Sequence, residues 1–193
     1  MKLSRSDLMS LEQYSGERKA FRSKVLDHKR TRVVKIGPNA CWCFEDRLTI
    51  QYQIQEMLRV EKIFESNGIQ EELDAYNPLV PDGSNWKATF LIEYPDVDER
   101  RIKLASLKGI EDRCWVQVRE FDRVFAIADE DLERENEEKT SAVHFLRFEL
   151  TAPMCASVKS GALVSIGIDH DNYRHELSPV PQSIRDSLAR DLS

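Results

Sequence analysis

Hydrophobic and polar positions repeat along this chain with two periods, and the changes of period mark its elements. Between Asp46 and Phe64 no Gly or Pro interrupts. A 100° step there places Ile50, Ile54, Met57, Leu58 and Phe64 on one stripe, which predicts the strongest helix, with Asp46 as its N-cap. The first thirty residues also read as helical, in two pieces broken at Ser15–Gly16, because Gly costs about 1 kcal/mol in a helix interior. Beyond that break Phe21, Val25 and His28 share a face. An acidic helix is expected from Gln70 to Tyr76, stopped by Asn77-Pro78, and a charged one from Asp96 to Leu107, ended by Gly109. A short helix opens at Thr151 and closes at Gly161. A terminal one starts at Pro181 and carries Ile184, Leu188 and Leu192.

Period-two alternation marks the strands. Trp86, Ala88, Phe90 and Ile92 alternate with Lys87, Thr89, Leu91 and Glu93, and Thr140 to Leu150 places Ala142, His144, Leu146, Phe148 and Leu150 on one face. Shorter strands are expected at Arg32–Ile36, Cys41–Phe44, Cys114–Val118, Val124–Ala128 and Ala162–Ile168. Turns fall at Ile36-Gly-Pro-Asn and Pro81-Asp-Gly-Ser. The acidic stretch Asp129–Lys139 reads as an exposed loop or short helix, and Asp169–Glu176 as a polar segment. Strands that follow one another without a strict strand–helix rhythm predict an α+β fold: a mainly antiparallel sheet packed with several helices, as a single domain over 1–193.

Composition narrows the function classes. The chain has 193 residues, 41% hydrophobic and 32% charged, as in an ordinary globular protein. No apolar run approaches the roughly 18 residues of a membrane span, and the first residues lack the apolar core of a secretion signal. Four cysteines are too few for a disulfide scaffold, so a reducing cytoplasm is expected. Cys41 and Cys43 share a strand face but lack zinc-knuckle spacing. With Cys114 and Cys155 they read as small buried hydrophobes. A net charge of −6 argues against nucleic-acid binding. The positive cluster, Arg18, Lys19, Arg22, Lys24, Lys29, Arg30 and Arg32, is either a solvated helix face or a surface for an anion or acidic partner. Dinucleotide and phosphate-loop motifs, a nucleophile elbow and His-Glu-x-x-His are all absent.

Chemistry is sought where polar residues fall among apolar ones. Glu61 lies inside the apolar stripe of the long helix, with Gln53 near its edge; a buried carboxylate must be paired, hydrogen-bonded, protonated or metal-bound. On the opposite side Tyr52, Gln55, Glu56, Arg59 and Ile63 cluster, so this helix is expected to be covered on both faces, with Glu56 and Arg59 spaced to pair. His144, between Ala142 and Leu146, is either a hydrogen-bonded core histidine or a metal or proton-transfer group. His170 and His175 lie in a segment dense in Asp, Tyr and Glu, which suits a metal or anion site or an ordinary polar turn.

Four stretches together carry a resemblance: Phe44-Glu-Asp-Arg-Leu-Thr-Ile-Gln-Tyr-Gln-Ile-Gln-Glu-Met-Leu-Arg, Glu71-Glu-Leu-Asp-Ala-Tyr-Asn-Pro-Leu-Val-Pro-Asp-Gly, Thr140-Ser-Ala-Val-His-Phe-Leu-Arg-Phe-Glu-Leu and Asp169-His-x-x-Tyr-x-His-Glu. Over nearly its whole length the chain resembles a bacterial family of uncharacterised proteins of about this size, a domain of unknown function. The resemblance implies genes near those of rubrerythrin-like and iron–sulfur oxidoreductase proteins. By association it implies peroxide defence or iron-dependent redox chemistry; it brings no established catalytic residues. The leading expectation is a cytoplasmic accessory protein of a redox or metal-handling system. In it Glu61, His144 and His170, with His175 or Glu56, converge on one first-row metal: iron, manganese or zinc. The competing expectation is a metal-free module that docks on an oxidoreductase partner through Asp129–Glu138 or the basic first helix. A third is an enzyme using Glu61 and His144 as an acid–base pair without metal. An exposed sheet edge would allow a homodimer.

Overall fold

The computed structural model describes residues 2–130, 134 and 138–193. Its contacts divide the chain into two compact units, one reaching to Arg30 and resuming over Glu45–Asp82, the other comprising Thr31–Phe44 and Gly83–Ser193.

The first unit is helical. Its main elements are α1 (Leu11–Lys29), α2 (Arg47–Glu61) and α3 (Ser66–Tyr76). α1 is continuous through Ser15–Gly16, contrary to the expected break, and the interruption falls earlier, between a 3-10 turn at Arg5–Asp7 and the N-cap Ser10, whose hydroxyl accepts from Gln13 N. An exposed Gly16 therefore weakens the helix without ending it, because burial of Tyr14 and Val25 on either side holds the two halves to one packed face. α2 is capped as expected by Asp46, whose carboxylate accepts from Leu48 N and Thr49 N. It ends at Glu61, three residues early, where Lys62 turns left-handed at φ 56°. A small core of Leu3, Ile50, Ile54, Leu58, Leu73 and Val80 closes this unit.

The second unit carries two antiparallel sheets, which bears out the α+β expectation. The strands are β1 (Val33–Lys35), β2 (Ala40–Glu45), β3 (Asn85–Ile92), β4 (Cys114–Val118), β5 (Val124–Phe125), β6 (Ile127–Ala128), β7 (Val143–Glu149), β8 (Val164–His170) and β9 (Tyr173–Leu177). One sheet has the order β1-β2-β3-β7-β6 and the other β5-β4-β8-β9. Helices α4 (Val97–Ser106), α5 (Ala152–Lys159) and α6 (Gln182–Ala189) complete the unit. The alternating residues of β3 and β7 do what their pattern predicts: Trp86, Phe90, Leu146 and Phe148 join one core with Val116, Val118 and Ile166 of the other sheet.

Two segments depart from expectation. Val124–Ala128 is not one strand. Val124 and Phe125 pair with β4 and Ile127 and Ala128 with β7, so the chain changes sheets at Ala126, whose N–H reaches Cys114 O at 2.9 Å. The polar segment after Ile168 forms a hairpin in which β8 continues to His170 and β9 runs antiparallel beside it. An edge strand with most of its side chains in solvent has no apolar alternation to reveal it. No helix among the described residues is long and apolar enough to cross a membrane.

A buried guanidinium ties the terminal helix to the first strand region of this unit. Arg32, 1% exposed, donates to Phe44 O at 2.9 Å, to Ser187 Oγ at 3.3 Å and to Asp191 Oδ2 at 2.6 Å. Asp191→Ala leaves that charge buried against a lost partner and is expected to lower unfolding free energy by roughly 3 kcal/mol, measured by urea denaturation.

Candidate functional site

Each polar residue singled out by the sequence has a definite place. Glu61 is exposed, which corrects the expectation of a buried carboxylate. The apolar stripe ends at Leu58, α2 ends at Glu61, and Phe64 lies past the helix with 72% of its surface open. Glu61 stands instead near acids: burial, then Glu61 and Glu71, raise the Glu72 carboxyl on α3. Glu56 has partners from α1 as well as from its own helix. Arg18 grips it with two bonds of 2.8 Å, Tyr14 OH donates at 2.6 Å, and Arg59 reaches it at 3.4 Å. The Arg18 bonds in particular hold its carboxyl down at about 2. On the other edge Gln55 is fully buried, accepting from Met9 N at 2.6 Å and donating to Met9 O at 3.3 Å, so α2 is covered on both faces as expected.

His170 uses both ring nitrogens locally. Asn172 N donates to its Nδ1 at 3.1 Å, which leaves the proton on Nε2 to donate to Lys108 O at 3.0 Å. His175 is exposed, its ring edge-on to Tyr173 at 4.7 Å. It covers Gly37, where φ is +72° and an added Cβ would stand 2.6 Å from the imidazole. All four cysteines are free; Cys41, Cys114 and Cys155 are buried and Cys43 is half-buried.

His144 has different company. It is fully buried on β7, opposite Phe90 of β3, with the two rings 5.9 Å apart. Its Nδ1 lies 2.6 Å from Asp129 Oδ2. Its Nε2 lies 3.0 Å from Thr140 Oγ1, 3.1 Å from Ser141 O and 3.8 Å from Glu111 Oε2, and Thr140 Oγ1 stands 3.5 Å from that same carboxylate oxygen. Glu111 sits on a 3-10 turn (Glu111–Arg113) and is 8% exposed. Burial first, then the nearby Glu111 and Asp112 carboxylates, push up the adjoining Cys114 thiol.

Local backbone geometry aims these groups. Asp129 follows β6 in the left-handed region, φ 49°, which Asp tolerates better than most residues. Its N–H donates to Phe145 O and its Oδ1 accepts from Phe145 N, so the strand bearing His144 also holds the carboxylate that orients the ring. Arg134, over the Phe145 ring at 4.6 Å, approaches Asp129 Oδ1 at 3.4 Å. Among the described residues, Glu111, Asp129 and His144 are the group of ligand-type side chains whose donor atoms lie within 4.8 Å of one another. Of the five expected ligands only His144 belongs to it; Asp129 and Glu111 were not anticipated. The arrangement supplies one imidazole, two carboxylates, a hydroxyl and a carbonyl, a donor set suited to holding a small cation or to passing a proton.

Two outcomes follow from this geometry. Thr140→Val keeps the shape but removes the hydroxyl between His144 and Glu111, and is expected to lower stability by about 1–3 kcal/mol in chemical denaturation. Glu56, with its folded value near 2 against an ordinary 4.5, contributes stability that is present above pH 4.5 and lost as pH falls towards 2. Glu56→Gln should therefore show a shallower loss of stability across that window when denaturation is followed at several pH values.

No curated protein matches the chain. A crystal structure of a "novel protein of unknown function" from Burkholderia pseudomallei K96243 is similar to it, with 53% identity over 100% of both chains and a TM-score of 0.95. Residues 2–192 match the family model described as "Protein of unknown function (DUF3501)", and the chain belongs to that family.

Proposed function

We propose that His144, through Nε2, and Glu111 hold one first-row divalent metal ion, iron, manganese or zinc, with Asp129 orienting the ring, in a cytoplasmic accessory protein of a redox or metal-handling system. The observation that carries this reading is the set of acceptors around a fully buried ring. Nε2 faces the Ser141 carbonyl at 3.1 Å and the Glu111 carboxylate at 3.8 Å, while Asp129 engages Nδ1. With the Thr140 hydroxyl at 3.0 Å, these oxygens supply donor atoms for a cation at Nε2. Metal–nitrogen and metal–oxygen bonds of ~2.1 Å allow two ligands of one ion to stand up to about 4.2 Å apart, so the Nε2–Glu111 separation is compatible with a shared ion. Asp129 then takes the orienting role of a carboxylate bonded to the distal nitrogen of a metal-bound histidine.

The same contacts support a second, metal-free reading, in which the ring, bonded to Asp129, Thr140 and Ser141, ties these segments together as part of the core. The redox association and a rubrerythrin-like or iron–sulfur oxidoreductase partner rest on the family resemblance, and copurification from the native host addresses them.

Elemental analysis of protein purified without a histidine tag separates the two readings. The metal reading expects about one equivalent of a single metal, lost in His144→Gln and reduced at least tenfold in affinity in Glu111→Gln. Absence of stoichiometric metal after supplementation with iron, manganese and zinc, with a lowered melting temperature in both variants, would leave the metal-free structural reading.

A further inference from the structure

The helical unit has a core that stays open on one side. Leu8, Leu11, Ile63 and Ile69 pack against its buried residues but are themselves only half-buried. Between them lies a cavity of about 300 Å³, formed by the approach to α1, the end of α2 and the first turn of α3. Phe64 also lines it, with 72% of its surface exposed. Contiguous apolar surface left open in this way marks a place that something else covers.

Hydrogen bonds and close packing fix the walls. Gln55 bonds both the N–H and the C=O of Met9, and Ile63 N donates to Leu58 O at 2.9 Å. Gly68 lies against Ile63, where an added Cβ would stand 2.7 Å from its Cγ2. Charge enters at one point, because Arg5 is the one ionisable residue of the lining. Arg5 is exposed, and its Nη1 donates to Ser66 Oγ at 2.5 Å, which holds the guanidinium beside the start of α3. A serine hydroxyl is neutral, so this bond leaves the charge unmatched and the rest of the N–H fork available.

We infer that this cavity binds an amphipathic monocarboxylate, a medium-length alkyl chain ending in one carboxylate. The chain lies against the half-buried apolar side chains and completes the core, and the carboxylate meets Arg5. A planar carboxylate takes two N–H groups of one guanidinium and carries the single charge that one Arg balances. A phosphate dianion would bring a second charge to a lining that has no second cation. The volume is at the lower end of small-molecule sites, as a single alkyl chain requires. None of the residues that form the cavity touches His144, so the inference is independent of the metal reading.

Calorimetric titration of the full chain with octanoate, kept below its micellar range, is the test. One saturable site is expected, with a raised melting temperature for the bound protein. Affinity should rise by about threefold per added CH₂ from hexanoate to octanoate. Arg5→Gln should weaken binding about fivefold, the loss of one charge-assisted contact at an exposed position. Phe64→Ser should also weaken it, while the melting temperature of the free protein stays unchanged because that ring is outside the core. No saturable binding at millimolar octanoate, equal affinity for octylammonium, or affinity unchanged in both variants would overturn the inference. Self-association of the free chain that Phe64→Ser abolishes, without octanoate binding, would overturn it too and assign the cavity to a second copy.

Discussion

A fully buried imidazole must find partners for both ring nitrogens inside the protein, and in this chain that need joins segments distant in sequence. β7 carries the ring, the corner after β6 brings Asp129, a 3-10 turn brings Glu111, and the residues entering β7 bring Thr140. The order of dependence runs from backbone to side chain. Pairing of Ile127 with Arg147 and of Ala128 with Leu146 sets the register of β6. That register places Asp129 against Phe145, where one backbone bond and one carboxylate bond fix it. Only then is Oδ2 in position to meet Nδ1. The change of sheets at Ala126 thus links β4 to the position of a carboxylate on the other sheet.

Contrast with the helical unit shows why burial alone does not make a site. Glu56 is a partly buried carboxylate surrounded by donors: a phenol and two guanidiniums. Its charge is matched and its lone pairs are occupied, so nothing about it calls for a further cation. Gln55 likewise exchanges two bonds with the Met9 backbone. Around His144 Nε2 the nearest polar atoms are a carbonyl, a hydroxyl and a carboxylate oxygen. Two of these are acceptors only, whereas every group around Glu56 is a donor, and this difference in surroundings is what distinguishes the His144 cluster from the Glu56 one.

Much of the fold was legible because periodicity reports burial directly. Trp86–Ile92 and Ala142–Leu150 alternate in sequence and in the structure, and Asp46 caps α2 as its position implies. The failures occur where burial and sequence pattern separate. β9 exposes most of its residues and carries no alternation; Glu61 continues a helical stripe arithmetically after the packed part of the helix has ended. The site was half legible for the same reason. His144 lies in an apolar set that only a buried strand explains. Asp129 begins an acidic stretch that looks solvated, and Glu111 sits in a short charged turn. What makes them special is tertiary: the register of β6 on β7, and the packing of the 3-10 turn beside Cys114. The expected role of the rest of the acidic stretch concerns residues 131–133 and 135–137, which lie outside the described residues.

Burial of His144 also depends on a near neighbour in the chain. The ring has no exposed surface, and Thr140, itself 1% exposed, stands against Nε2 at 3.0 Å. Thr140 N in turn donates to Leu104 O at 3.2 Å, so the residue that covers the ring is fixed by the helix packed beside it. Thr140 therefore closes this side of the imidazole, and the hydrogen bonds of His144 there are made with the protein and not with bulk water.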